Sequence, residues 1–204
     1  MRFFLVILLL SISFSSLAAA EIANLEARLA ESKAAVKERN WAAAYAGFKS
    51  LAEAGNPEAQ FQLGTLYRNG RGVEKNFQTS VSWHTKAALA GHVRAQNYLA
   101  ISLELGRGIE KDLQAASQWY LRAAQKNNLN AMHWLAKAYQ EGSVIPKDFE
   151  TSYVWYTLAR DNDMDCGRLQ FGQQEVLEQL SATQQLSAQN RIQAWRKNGR
   201  QGSP

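Results

Sequence analysis

The segment GRGVEK beginning at Gly70 returns as GRGIEK at Gly106. The offset of 36 residues holds without a gap over three copies, residues 56–91, 92–127 and 128–163. No other feature constrains the chain as strongly. A period of about 20–50 residues marks an array of one supersecondary unit that cannot bury its apolar surface alone.

The columns of the repeat say what that unit is. Ala59, Ala95 and Ala131 align, as do Leu63, Leu99 and Leu135. Next come Gly64, Ala100 and Ala136, then Tyr67, Leu103 and Tyr139. Steps of four, one and three put these positions on one helical face. Gly70, Gly106 and Gly142 then end the helix, where a left-handed residue suits glycine. Val73, Ile109 and Ile145 are expected to pin the loop into the core. Asn76, Asp112 and Asp148 are placed to cap a second helix. That helix carries Ser80, Ala116 and Ser152, then Trp83, Trp119 and Trp155, then Ala87, Ala123 and Ala159. The spacing predicts a buried stripe in which the tryptophans fill the space between hairpins. The fold class is therefore all-α, a right-handed α-solenoid of stacked antiparallel helix hairpins. Alanine-rich composition with only three prolines agrees.

A weaker copy precedes the three. Shifted back by one period, Trp41 falls on Phe77, Ala44 on Ser80 and Gly55 on Gly91. Residues 21–55 thus read as a degenerate N-terminal repeat that caps the array, with its first helix from about residue 22 to 38. Residues 164–204 read as C-terminal capping helices, one of them starting at Ser181, followed by a basic tail.

Residues 1–20 read as a signal peptide. Arg2 precedes the apolar run FFLVILLLSISF, and Ala18, Ala19 and Ala20 form a cleavage pattern. The run is short for a bilayer span of about 20 residues. The mature chain is expected in the periplasm or secreted, with no membrane span after cleavage. Its formal charge falls from +5 to +4 once Arg2 is removed. Arg191, Arg196, Lys197 and Arg200 crowd the C-terminus and read as a solvated basic tail. No stacking motif supports a nucleic-acid partner.

The joint and its flanks resemble the Sel1-like repeat family, a branch of the tetratricopeptide-like solenoids. The matching residues are Ala59, Leu63, Gly64, Tyr67, Gly70, Gly72, Val73, Asn76 and Trp83, with Ser80 in place of an alanine. The second copy has Ala100 and Leu103 where the pattern has glycine and tyrosine. The third has Val144 for the second glycine and adds Pro146. The resemblance covers roughly residues 40 to 165. Secreted members with a disulfide in each hairpin are not matched, because Cys166 is the single cysteine.

The resemblance implies a non-enzymatic scaffold or adaptor that binds a protein or peptide. Alternatives are an enzyme acting on cell-wall or peptide substrates, or a structural subunit of an envelope complex. By analogy with tetratricopeptide-like hairpins, the first helix lines a concave face. The positions expected there are Glu58, Phe61, Thr65 and Arg68; Arg94, Asn97, Ile101 and Glu104; and Asn130, His133, Lys137 and Gln140. A mixed polar face of this kind suits an extended peptide.

Chemistry finds little footing. GRGVEK lacks the longer glycine bracket and Lys-Ser/Thr pair of a phosphate loop, and Glu74 and Glu110 sit in the loop itself. His84, His92 and His133 have no partner at zinc-motif spacing. Asp161, Asp163 and Asp165 form half of a calcium loop, without the glycine and glutamate that complete it. No cofactor, metal or catalytic group is expected, and Cys166 reads as a small, partly buried thiol.

Overall fold

A computed structural model describes residues 2–161 and 167–198, with side chains from residue 20 onward except at 167 and 168. Asp163, Asp165, Cys166 and Arg200 lie outside the described residues. The described residues form ten α-helices and no strand. They are α1 (Arg2–Lys37), α2 (Trp41–Glu53), α3 (Pro57–Asn69), α4 (Phe77–Leu89), α5 (Val93–Leu105), α6 (Leu113–Ala124), α7 (Leu129–Glu141), α8 (Phe149–Asp161), α9 (Gly167–Leu177) and α10 (Ala182–Lys197). The chain divides into two compact units, residues 1–76 and 77–204.

In the first unit α2 packs against both α1 and α3. The first helix begins well before the expected start near residue 22, running unbroken from Arg2. Gly47 leaves room for buried Ser32 on α1, and Arg28 Nη2 donates to Ser50 Oγ across the pair at 2.7 Å. On the α3 side the Tyr45 and Tyr67 hydroxyls meet at 3.0 Å.

In the second unit each helix from α4 to α8 packs on the next, and α10 returns onto α8. Ala95, Leu99, Ala100 and Leu103 are buried on α5, and Ala131, Leu135 and Ala136 on α7, which is the face the columns predict.

Caps set where each helix begins. Asn56, His92 and Asn128 occupy one column, and each accepts the backbone N–H three residues on, at 2.9, 3.1 and 3.0 Å. Asn40, Asp112 and Asp148 do the same for second helices, at 3.2, 2.8 and 3.0 Å. His92 therefore acts as an N-cap through Nδ1, which fixes it as an acceptor there.

The glycine joints are built alike. Gly70, Gly106 and Gly142 adopt φ of 66°, 65° and 71° and close their helices in the left-handed region. The backbone N–H of Asn76, Asp112 and Asp148 then donates to the carbonyl of Tyr67, Leu103 and Tyr139, each at 3.0 Å. These bonds fasten the loop. Val73 and Ile145 are accordingly only half-buried and Ile109 is 36 % exposed, so the expected apolar pin is not what holds the joint.

The second glycine of each GRG has a different task. A Cβ on Gly72 would sit 2.7 Å from the Trp41 carbonyl carbon. The arginine between the glycines lies over the ring of the same neighbour, Arg71 at 4.7 Å from Trp41 and Arg107 at 5.3 Å from Phe77. One structural joint is used repeatedly, which answers why the motif recurs.

The tryptophan column departs from expectation. Trp155 is 2 % exposed, but Trp83 and Trp119 are half-buried. Lys86 and Arg122, one turn on, lie over their rings at 4.0 and 4.5 Å. The difference lies in neighbours: α8 is packed by α7, α9 and α10, whereas α6 is packed mainly by α5 and α7 among the described residues.

The C-terminal cations are also not simply solvated. Arg191 pairs with Glu150 at 3.2 Å and donates to Thr151 Oγ1 at 3.2 Å. Arg196 pairs with Asp161. Ser187 adds a 2.7 Å bond to Glu150. These bonds bind α10 to α8, and Asp161 is held by an arginine rather than set up as a calcium ligand.

Candidate protein-interaction surface

The exposed edge of each first helix is narrower than the sequence reading allows. Phe61 is 1 % exposed and Asn97 3 %, so neither presents a surface to a partner. For Asn97 the cause is that α5 is flanked by both α4 and α6, which leaves only a strip open. Glu58, Thr65 and Arg68 are half-buried on α3. Glu58 pairs with Lys33 at 3.2 Å, and Thr65 Oγ1 turns back to the Phe61 carbonyl at 3.0 Å. On α5 Arg94 is exposed, and Ile101 and Glu104 are half-buried. On α7 Asn130 and Lys137 are exposed, and His133 and Gln140 are half-buried.

Two equivalent hydrogen bonds anchor this strip to the following helix. Tyr120 donates to Glu104 Oε2 at 2.6 Å, and one period later Tyr156 donates to Gln140 Oε1 at 2.8 Å. Glu104 also accepts Trp134 Nε1 at 3.0 Å, and the Tyr120 and Trp134 rings stack 4.3 Å apart. Burial, and then the bond to Glu104, push the Tyr120 hydroxyl well above its ordinary value. Burial raises Tyr156 to about 12, with Glu175 and Glu141 adding to the effect. Both hydroxyls thus stay neutral donors at physiological pH.

The third copy gathers the strip into a groove. His133, Lys137 and Gln140 line a depression of about 320 Å³ together with Tyr156, Phe171 and Glu175. Lys137 pairs with Glu141 at 3.4 Å, and Gln140 Nε2 donates to Glu175 at 3.1 Å. Gly172 lets α9 close over Tyr156, since a Cβ there would lie 2.7 Å from the Tyr156 ring. The neighbouring Phe171 remains 68 % exposed at the groove. Neither Tyr156 nor Phe171 stands out in the sequence reading. Tyr156 follows the conspicuous Trp155, and Phe171 lies where the period has faded.

Two of the three histidines have structural places, and the third lies at the groove. His84 is buried beside Tyr98 at 5.4 Å, His92 caps α5, and His133 lies 6.2 Å from the Tyr156 ring. Among the described residues no group of three or more His, Cys, Asp or Glu side chains is arranged to hold a metal ion. No helix among them is long and apolar enough to cross a membrane.

The family model for the Sel1 repeat matches residues 57–92, 93–128 and 129–164, more than half of the chain. The chain belongs to the Sel1 repeat family. Its three Sel1 repeats each begin one residue after the N-caps Asn56, His92 and Asn128. A solved Sel1 repeat protein from Oxalobacter formigenes is 32 % identical with a TM-score of 0.63, over 65 % of this chain and 55 % of that one. The protein c5321, a protective antigen present in uropathogenic Escherichia coli strains with a Sel1-like repeat fold, is 26 % identical over 75 % of this chain and 40 % of its own, with a TM-score of 0.48. The chain thus spans about half the length of the first structure and less of the second. No curated protein matches it. Stacked helix hairpins of the Sel1-like solenoid class are therefore its fold, and repeats of this family commonly mediate protein interactions.

Proposed function

We propose that the chain is an exported, non-enzymatic Sel1 repeat scaffold that binds a protein or peptide along the open edge of the first helices α5 and α7. The groove of the third repeat is the centre of that surface. The observation that carries the reading is the placement of exposed Phe171 beside His133, Lys137 and Gln140. An aromatic anchor set among polar groups that can hold a backbone is the usual make-up of a peptide-binding hot spot. Export rests on the Arg2-led apolar run and the Ala18–Ala20 cleavage pattern.

The test is crosslinking capture from an envelope fraction with the native chain and with a Lys137→Glu/Phe171→Ala variant. Both changes are on exposed side chains, so the fold is retained. A partner captured by the native chain and lost by the variant supports the reading. A partner captured equally by both moves the binding surface elsewhere, and turnover of a cell-wall or peptide substrate by the purified chain would replace the scaffold reading with an enzymatic one.

A further inference from the structure

The third joint lacks the parts that fill the first two. In those, Arg71 lies over Trp41 and Arg107 over Phe77. One period on, the arginine is Ser143, the aromatic is Leu113 and the second glycine is Val144. At that place the structure has a cleft of about 250 Å³, bordered by Leu113, Ser143 and Val144 together with Glu104, Trp134 and Glu141.

The charge of the cleft matches what the other joints contain. Two carboxylates, Glu104 and Glu141, face one cation, Lys137, which pairs with Glu141. Among the described residues no cation pairs with Glu104. Its two oxygens instead accept Tyr120 and Trp134, which fix the carboxylate in place at no further ordering cost to a ligand. A guanidinium matches this lining better than an ammonium does. It is planar, is weakly hydrated, lies against apolar and aromatic walls, and presents a donor fork to carboxylates.

We propose that this cleft accepts an arginine side chain from a partner polypeptide, supplying in trans the residue that the first two joints supply in cis. This deepens the scaffold reading and rests on it. The partner segment it specifies is extended and basic, with an arginine that inserts beside Leu113 and meets Glu104.

The test is a ¹⁵N NMR titration of the full chain, following the Trp134 indole N–H, with the peptide acetyl-Gly-Arg-Gly-amide and its citrulline counterpart. Citrulline keeps the shape and removes the charge. The arginine peptide shifts the Trp134 signal saturably, and citrulline binds about tenfold or more weakly. Glu104→Gln, whose amide oxygen can still accept from Trp134 while its NH2 donates to the Tyr120 hydroxyl, weakens the arginine peptide to a similar degree. Leu113→Phe/Ser143→Arg, which rebuilds the internal pair, suppresses binding while its remaining spectrum stays native. Equal response to the two peptides, no shift at about 20 mM peptide, or undiminished binding by the rebuilt variant overturns the proposal. Envelope capture with Glu104→Gln separates the two levels. A partner captured equally by this variant and the native chain leaves the scaffold standing and removes the arginine from it.

Discussion

Gly108 passes against the backbone of Phe77, at φ 76°, so closely that a Cβ there would overlap the Phe77 carbonyl group and sit 2.8 Å from the Phe77 Cβ. Gly72 stands in the same relation to Trp41 one period earlier. Gly108→Ala meets both a left-handed backbone and a backbone obstacle, so it is expected to cost at least about 2 kcal/mol. Val144→Gly, at the corresponding place in the third joint, gains nothing from such freedom and lowers stability by less than about 1 kcal/mol. Urea unfolding of the two variants checks this.

His92 shares a column with Asn56 and Asn128 and holds α5 through Nδ1. Replacement by alanine leaves the Ala95 N–H without its acceptor and is expected to cost about 1 kcal/mol, whereas His92→Asn keeps the cap and the stability. Thermal unfolding at neutral pH distinguishes capping from a ligand-binding histidine, since the latter would not be rescued by asparagine.

The tryptophan column predicts unequal penalties from one substitution. Trp155→Ala empties a site enclosed by three helices and is expected to cost about 3–5 kcal/mol. Trp119→Ala removes a half-buried ring and its contact with Arg122, and is expected to cost less than about 2 kcal/mol. Equal penalties from denaturant unfolding would show that the column is buried throughout.

Tyr156 is raised from 10.0 to about 12, first by burial and then by Glu175 and Glu141. The fold therefore disfavours the phenolate. The stabilisation is fully present below pH 10 and is lost as pH rises from about 10 through about 12. Tyr156→Phe loses the bond to Gln140, about 1 kcal/mol at neutral pH. Its stability then falls less steeply than that of the native chain across this alkaline window, as measured by unfolding at a series of pH values.

How far the sequence reveals the molecule depends on which force acts at each position. Ala95, Leu99 and Ala131 are legible because helix periodicity and burial coincide, and the 36-residue offset repeats the message. Gly70 and Gly106 are legible because only the backbone conformation selects them. Phe61 and Asn97 are placed on the surface by analogy but are buried; for Asn97 the reason is that α5, with α4 and α6 on two sides, buries a wider arc than periodicity alone marks. Arg191 and Arg196 are misread as a solvated tail because their partners, Glu150 and Asp161, lie 41 and 35 residues away. Nothing local marks such a pair. Phe171 escapes for a related reason: its exposure is set by Gly172 closing on Tyr156, a contact between helices that follow different patterns.

The most direct test of the scaffold account is hydrogen–deuterium exchange on the chain with and without its crosslink-captured partner. Binding at the groove gives new protection in residues 129–141 and 167–177, the segments that carry His133, Lys137, Gln140 and Phe171. Protection confined to residues 182–197, or to the second helices at 113–124 and 149–161, would contradict it.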